Sequence, residues 1–344
     1  MNQPRNLGRL VWFAGLGLAF GGMAQPLAGD EAPASFERRL VALGYYPVAL
    51  GRTFGKLTAR GMIEGQSRTL TVDTGWSWTS MDVQVGGRWK SPRELGTTVA
   101  DPVFGPLSSL PWTKDKFALM PALFLGSVVF SNQPVVVQKL TSLQLLHEGV
   151  LGCDFLLRNY AILNCGKRRL YVRERPPNAE IQAVVRKTLE LSHFRPVKLK
   201  VGHVLGVACE ADLNGSPITL LVDTGADTTV VDRATAQRCN VAWSKKGEVW
   251  KIQGFKGRNS RIYALDPVSF YLGSWPISAA ALKTGDLSGW NLGAKGNPPA
   301  AIDGLLGLNE LAREGALLDL AAGTMWLKPD RVSVLRSITE QAGD

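Results

Sequence analysis

The sequence predicts a mostly β protein of two similar lobes joined by a short helix. Its 344 residues exceed the size at which a single core usually keeps growing, so two domains are expected. An Asp-Thr-Gly triplet at residues 73–75 returns at residues 223–225, and the sequences around the two copies also repeat. The composition, 45% hydrophobic and 20% charged residues, is that of an ordinary folded protein.

Each triplet lies at the end of a predicted β-hairpin. The segment GMIEGQSRTLTVDTG aligns with ADLNGSPITLLVDTG, and in both an alternating strand, a turn at Glu64-Gly65 or Asn214-Gly215 and an apolar strand precede the acid. Farther upstream YYPVAL and FRPVKL begin the two copies alike. The repeat therefore contains several strands.

The downstream parts of the two copies match as well. EGVLGCDFLLRNYAIL aligns with DGLLGLNELAREGALL at a separation of 155 residues. Each copy then ends in a short helix and a hairpin built on RRLYV or TMWL. Nearly all of the chain after residue 43 is thus accounted for by two copies and the segment between them.

The order of these parts resembles the aspartic proteases, and among them the retropepsin-like kind. That family has an apolar strand running into Asp-Thr-Gly, a glycine-tipped flap hairpin, and an apolar-apolar-Gly segment leading into a short helix. The resemblance covers residues 44–172 and 194–328, and it implies two β-barrel lobes related by a pseudo-twofold axis. Val150-Leu151-Gly152 and Leu305-Leu306-Gly307 fall on the apolar-apolar-Gly segment.

The resemblance implies that Asp73 and Asp223 are the catalytic acids. Two carboxylates about 3 Å apart cannot both ionise, so they share one proton and supply a base and an acid at the same pH. Four neighbours are expected to support the pair. Gly75 and Gly225 would aim backbone N–H groups at the carboxylates, and the resemblance implies that Thr74 and Thr224 link the two loops.

Four residues are candidates for substrate binding: Trp76, Ala226, Gly105 and Gly254. The first two follow the triplets, where the family usually has a small residue, so Trp76 is a departure that could narrow, stack in or block the cleft, or simply pack between the lobes. Strand alternation would place Trp78 on the same side. The two glycines mark the predicted flaps, of which the first is interrupted by prolines. Either flap could also be an ordinary surface loop.

The sequence is divided into six segments. These are a signal peptide at 1–24, an N-terminal extension at 25–43 that could cover a cleft, the first lobe at 44–172, a linker at 173–193, the second lobe at 194–328 and a tail at 329–344. In the linker, Asn178 is expected to cap a helix of about three turns with Ile181, Val184, Val185 and Leu189 on one face. This helix is interpreted as a lobe connector, with a partner-binding helix as the alternative.

The first segment predicts export. Arg5 and Arg9 precede an apolar run from Leu10 to Phe20 and small residues ending at Ala24, as in a secretory signal peptide. An uncleaved anchor is the weaker alternative, because the run is shorter than the ~20 residues of a spanning helix. We expect a periplasmic or secreted protein with no stable membrane insertion after the leader is removed.

Charge, histidines and cysteines limit the partners. The net charge is +10, of which Arg5 and Arg9 contribute two, so +8 remains after their removal; the basic residues are scattered, which argues against nucleic acid. The three histidines show no metal-ligand spacing, and neither a metal nor an organic cofactor is expected. The four cysteines could form two bridges or remain buried thiols.

We therefore predict an exported aspartic endopeptidase that cleaves an extended polypeptide, works best at acidic pH, and is a monomer because one chain supplies both acids. A non-catalytic peptide-binding module on a degenerate protease fold is the main alternative. A structural envelope protein that keeps the fold for stability, and a homodimer with active sites between chains, are two others.

Overall fold

A computed structural model describes residues 35–91, 100–101, 105–106, 116–140, 147–203, 206–244, 250–253, 259–266, 268–277, 282–288 and 302–328. The predicted leader and tail lie outside these residues, as does the extension before residue 35. The described part is mostly strand, in two lobes of the same architecture. This confirms the predicted fold class.

The first lobe follows helix α1 and ends in a short hairpin. Its elements are α1 Phe36–Ala42, β1 Tyr46–Thr53, β2 Lys56–Ile63, β3 Gln66–Val72, β4 Ser80–Asp82, α2 Val83–Gly86, β5 Ala100–Asp101, β6 Gly105–Pro106, β7 Lys116–Leu125, β8 Val128–Gln138, β9 Gly149–Leu151, α3 Cys153–Arg158, β10 Ile162–Asn164 and β11 Arg169–Val172.

Helix α4 and the second lobe repeat this order, except that three short strands correspond to the two long strands β7 and β8. The elements are α4 Ala179–Leu191, β12 Arg195–His203, β13 Gly206–Leu213, β14 Ser216–Asp223, β15 Val230–Asp232, α5 Arg233–Arg238, β16 Trp250–Gln253, β17 Asn259–Ala264, β18 Phe270–Leu272, β19 Trp275–Pro276, β20 Lys283–Gly285, β21 Gly304–Gly307, α6 Leu308–Arg313, β22 Leu317–Asp319 and β23 Thr324–Leu327.

The two predicted hairpins are confirmed. Strands β2 and β3 pair antiparallel up to Ile63↔Gln66, and β13 and β14 pair up to Leu213↔Ser216. The two residues of each turn have positive φ, 49° and 76° in the first lobe and 53° and 77° in the second. This is the twist that a two-residue hairpin requires, and Glu-Gly and Asn-Gly supply it with glycine at the second position.

Each lobe places its triplet by a parallel strand pair inside an otherwise largely antiparallel sheet. β3 pairs parallel with β9, and β14 pairs parallel with β21. The short strands that follow the triplets, β4 and β15, run antiparallel to the same partners. Each triplet therefore lies in the loop between two strands that flank one central strand, β9 in the first lobe and β21 in the second. The acid is at the start of that loop.

A six-stranded antiparallel sheet joins the lobes. Its order is β1-β11-β10-β22-β23-β12, and β10 and β22 form the central interlobe pair with Leu163 opposite Leu318. Alternate residues on its strands point into the main core on one face. On the other face they form a second apolar cluster with α1 and α4.

Helix α4 is confirmed, and so is its cap, because Asn178 Oδ1 accepts the N–H of Ile181 at 2.9 Å. One predicted inward position is wrong. Val184 is exposed, whereas Thr188 is buried and returns its hydroxyl to the Val184 carbonyl at 2.7 Å. The helix thus buries a narrower face, Val185 and Leu189, against the interlobe sheet. α1, the described end of the extension, packs beside it.

All four cysteines lie within the described residues and are buried thiols. They belong to the main core cluster, which extends through both lobes. Burial raises the pKa of Cys165 and of Cys209 to about 12. Of the two possibilities left by the sequence, the structure has the thiols.

Within the described ranges, none of the helices has the length and apolar character needed to span a membrane.

Candidate active site

The two Asp-Thr-Gly loops begin at the same place in each lobe. The Asp73 N–H donates to the carbonyl of Leu151 at 3.1 Å, and Asp223 lies opposite Gly307 in the parallel register. Both acids therefore leave a buried parallel pair at the point where its hydrogen bonding ends. Each side chain remains partly exposed.

Backbone amides of the turn hold each carboxylate. Gly75 N donates to Asp73 Oδ1 at 2.9 Å, and Gly225 N donates to Asp223 Oδ1 at 2.8 Å. Ala226 N adds a third bond, to Asp223 Oδ1 at 3.0 Å. Because amide donors favour the ionised form, they support negative charge on this pair.

The two threonines bond reciprocally across the lobes. Thr74 N donates to Thr224 Oγ1, and Thr224 N donates to Thr74 Oγ1, both at 3.1 Å. Each hydroxyl then donates to the strand of the other lobe, Thr74 Oγ1 to Val222 O at 2.6 Å and Thr224 Oγ1 to Val72 O at 2.9 Å. Both threonines are fully buried, so the bonds are shielded from competing water.

These threonine hydrogen bonds hold the two loops together and so bring the two carboxylates close to each other. A Cβ built on Gly75 would lie 2.4 Å from Asp223 Cγ, and one built on Gly225 would lie 2.0 Å from Asp73 Oδ2. Each acid thus sits directly against the glycine of the other triplet, and any side chain there would collide with it. The described structure places all six triplet residues in one site.

The environment favours a proton on the pair. Burial, and then the Asp73 carboxylate beside it, raises the pKa of Asp223 above its usual range, while the Lys56 ammonium and the Gly225 amide act in the opposite direction. Two acids in contact cannot both ionise without strong repulsion. The pair therefore retains one proton at pH values well above those at which an ordinary carboxyl group ionises.

A buried carboxylate supports each loop from behind. In the first lobe Thr79 donates its N–H and its hydroxyl to Asp154 Oδ1 at 2.6 and 2.7 Å. In the second, Thr229 donates the same two groups to Glu310 Oε2 at 3.0 and 2.5 Å. An arginine later in each helix pairs with the acid.

Sequence reasoning missed these two acids, because the separation of 155 residues pairs Asp154 with Asn309. Glu310 lies one position farther along its helix and, with a longer side chain, reaches Thr229, which is equivalent to Thr79 of the first lobe. An acid in the first turn after Gly, followed by arginine, was the available signal.

The candidate substrate-binding residues after the triplets have different surroundings. Ala226 packs against an apolar cluster of Leu221, Val230, Ile262, Leu287 and Leu305. Trp76 is half-buried, and its indole N–H donates to Ser80 Oγ at 2.9 Å. The strand basis for placing Trp78 beside Trp76 is wrong, since residues 76–79 form no strand; the Trp78 ring instead meets Phe117 edge-on with centroids 5.9 Å apart.

The predicted flaps are described only in part. Gly105 lies in β6, which pairs antiparallel with β5. In the second lobe β16 and β17 pair antiparallel from Trp250↔Ile262 to Gln253↔Asn259. Gly254, at the predicted tip, lies outside the described residues. Across the described part of the chain, no cluster of His, Cys, Asp and Glu has the form of a metal site.

Comparisons with known proteins give one family match and similar solved structures. Residues 209–313 match the family described as gag-polyprotein putative aspartyl protease. The chain is also similar to the solved aspartic proteinase from Irpex lacteus, at 12% identity and a TM-score of 0.46, over 84% of this chain and 98% of that one. No curated protein sequence matches at a significant level. The family match lies within the second lobe and includes its Asp-Thr-Gly triplet, so this part of the chain is similar to the retropepsin-like aspartic proteases.

Proposed function

We propose that this chain is an exported aspartic endopeptidase, periplasmic or secreted, which acts as a monomer and hydrolyses peptide bonds in extended polypeptides. The observation that carries the proposal is the reciprocal contact of Asp73 and Asp223 with the glycine of the opposite triplet. Family and fold support a peptidase, and this contact is the geometry that peptide hydrolysis by two carboxylates needs.

In the proposed reaction, the pair holds one proton. The ionised carboxylate takes a proton from a water molecule, whose oxygen attacks the carbonyl carbon of the peptide. The protonated carboxyl gives its proton to the carbonyl oxygen, which forms a neutral gem-diol. As the diol collapses, one of its hydroxyls gives its proton to the ionised carboxylate and the protonated carboxyl gives its proton to the amine nitrogen. The C–N bond breaks, and the pair again holds one proton. No covalent intermediate forms.

The surroundings suit an extended substrate. The β16–β17 hairpin and the β5–β6 hairpin provide strand edges that can bind a peptide through its main chain, as in other strand-adding recognition modes. The apolar cluster around Ala226 favours an aliphatic or aromatic side chain on the side of the second lobe.

A peptide-library digest at several pH values, read by mass spectrometry, tests the proposal. Asp73→Asn and Asp223→Asn should each lower kcat/KM on the order of 10³-fold or more, because either change removes one of the two proton-transfer groups. Asp266→Asn, at an exposed acid, is the matched control and should cleave like the wild type. Activity should fall as pH rises through the raised pKa of the pair, because its single proton is then lost.

Other results would point elsewhere. Cleavage that survives Asp73→Asn but not Asp223→Asn would indicate that the second acid comes from another chain. Peptide binding without cleavage by the wild type would replace the proposal with a peptide-binding module, the alternative that Trp76 beside Asp73 favours. Full activity well above neutrality would contradict the shared proton.

A further inference from the structure

The two triplet loops bond to each other through matching threonine contacts, but the residue that faces each loop from the opposite lobe differs. Lys56 is the first residue of β2, and Gly206, the first residue of β13, lies 150 residues later in the sequence. These two residues face the loop of the opposite lobe, but they differ in charge and in size.

Lys56 reaches across the lobe boundary. Its Nζ donates to the carbonyl of Gly225, in the second triplet, and the side chain is half-buried. The turn before it is pressed against the same lobe, because a Cβ on Gly55 would meet the Asp227 carboxylate at 1.9 Å. The ammonium is therefore fixed next to the Asp223 loop by a hydrogen bond and by its backbone.

The matching position in the second lobe has no room for such a group. Gly206 has a φ of +117°, and a Cβ there would lie 2.5 Å from the carbonyl oxygen of Thr74. The first triplet loop thus meets bare backbone where the second meets a cation. A positive charge therefore lies on the Asp223 side of the acid pair, where the matching position on the Asp73 side has only backbone.

We propose that Lys56 is a positioning residue that anchors the second Asp-Thr-Gly loop from the first lobe and places a single positive charge on the Asp223 side of the acid pair. This inference rests on the proposed catalytic function of the pair. Its consequence is that Lys56 favours the ionised form of the pair and so sets the upper end of the pH range in which one proton is held.

Other charged groups near Lys56 act on a different residue or are already engaged. The Lys56 charge also acts on His147, whose pKa is lowered by burial and by Lys56, with Glu148 opposing. The Glu148 carboxylate accepts the Thr69 N–H at 2.9 Å and lies 3.6 Å from Arg68 Nη1.

Asp227 touches the turn at Gly55 and is exposed to solvent, where its charge is screened. The carboxylate whose pKa the Lys56 ammonium lowers is therefore that of Asp223, in the acid pair.

Three substitutions separate charge from hydrogen bonding. Lys56→Arg keeps both, Lys56→Gln keeps a donor for the Gly225 carbonyl without charge, and Lys56→Met removes both. Lys200→Met is the matched control, because Lys200 is exposed and pairs with Glu210 at 2.8 Å on the surface. The first readout is the pH titration of the aspartate carboxyl carbons by ¹³C NMR, with signals assigned through Asp73→Asn and Asp223→Asn.

We expect the upper apparent pKa of the pair to rise by about half to one unit in both Lys56→Gln and Lys56→Met. It should stay near the wild-type value in Lys56→Arg and Lys200→Met. The upper limb of the kcat/KM profile should move in the same direction. If Lys56→Met does not fold, Lys56→Gln carries the test with the donor retained.

An unchanged titration in Lys56→Gln, or a downward shift, would overturn the inference, since a purely structural lysine alters stability without moving the pair. The NMR readout needs no turnover. A protein that cleaves nothing but shows the upward shift would therefore refute the proposed peptidase and keep the charge assignment.

Discussion

Asp319 and Asn164 occupy matching turns of the two lobes, but only the aspartate can ionise. Asp319 ends β22 and accepts the N–H of Ala322 at 3.0 Å, and Asn164, at the matching place in the first lobe, accepts the N–H of Lys167 at 2.8 Å. Both side chains are buried. Burial raises the pKa of Asp319 to about 6, although backbone N–H groups oppose the shift.

Asp319→Asn is expected to stabilise the protein at neutral pH. A folded-state pKa above the unfolded value means that the native form prefers the protonated acid, so this stabilisation is present below pH 4 and is lost as pH rises through 6. A shift of this size corresponds to at most about 3 kcal/mol in the free energy of unfolding. The asparagine amide does not titrate, so the variant should gain about 1–3 kcal/mol of stability at pH 7. Urea unfolding at pH 4.5 and 7.5 measures the difference.

The reverse exchange is its control. Asn164→Asp introduces a buried carboxylate into the same kind of turn, and it should lower the free energy of unfolding at pH 7.5 more than at pH 4.5. If Asp319→Asn gives no gain that grows with pH, the carboxylate is better solvated than its burial indicates.

Elements were predictable where local chemistry alone determines them. The turns at Glu64-Gly65 and Asn214-Gly215 and the capped start of α4 follow from residue preferences that act over a few positions. The buried face of α4 did not follow, because the helix packs on the interlobe sheet with only Val185, Thr188 and Leu189 fully buried. Position along the helix also hid Glu310, whose longer side chain offsets a shift of one residue.

The segments that carry the glycines of the apolar-apolar-Gly motif depend on close packing. A Cβ on Gly307 would lie 2.4 Å from the carbonyl carbon of Thr228, which is backbone and cannot move aside alone. The same glycine donates its N–H to Thr229 Oγ1 at 3.0 Å. The strand β21 therefore holds the second triplet loop at a fixed distance.

Gly307→Ala should cost about 2–4 kcal/mol in the free energy of unfolding, because overpacking against backbone displaces the loop. Peptidase activity should fall with it, since Asp223 leaves the same parallel pair. Chemical unfolding and kcat/KM on one peptide measure the two effects. Gly65→Asn is the control: nothing lies within 4 Å of its Cβ position, and asparagine tolerates the φ of +76°. A small cost for Gly307→Ala would mean that the loop is not held by this contact.

The whole molecule is joined across the lobes at three levels. The threonines bond through the centre, the β10–β22 pair links the two sheets, and one apolar cluster contains residues from both lobes. The repeat predicted two lobes, yet it could not predict this continuity, because contacts between copies leave no periodic signal within either copy. Lys56 escaped notice for the same reason: its partner is 169 residues away.

The four thiols report whether the lobes unfold together. Cys153 and Cys165 lie in the first lobe, Cys209 and Cys239 in the second, and each has at most 1% of its surface exposed. A thiol reagent can reach them only after the core opens, because all four are buried. The raised pKa of Cys165 and Cys209 also keeps those two thiols protonated. Since the shared core and the interlobe sheet couple the lobes, we expect all four to react with one rate constant in moderate urea, equal to the rate of global unfolding seen by tryptophan fluorescence.

Two rate constants, each for two thiols, would contradict this coupling and indicate lobes that open independently. Mass spectrometry of partly labelled protein distinguishes the cases, since coupled lobes give only unlabelled and fully labelled chains whenever labelling of the open state is faster than refolding. The variant Thr224→Val tests the cause. It removes the central hydroxyl and one donor to the Val72 carbonyl, so it should speed labelling of all four thiols alike if the triplet grip couples the lobes.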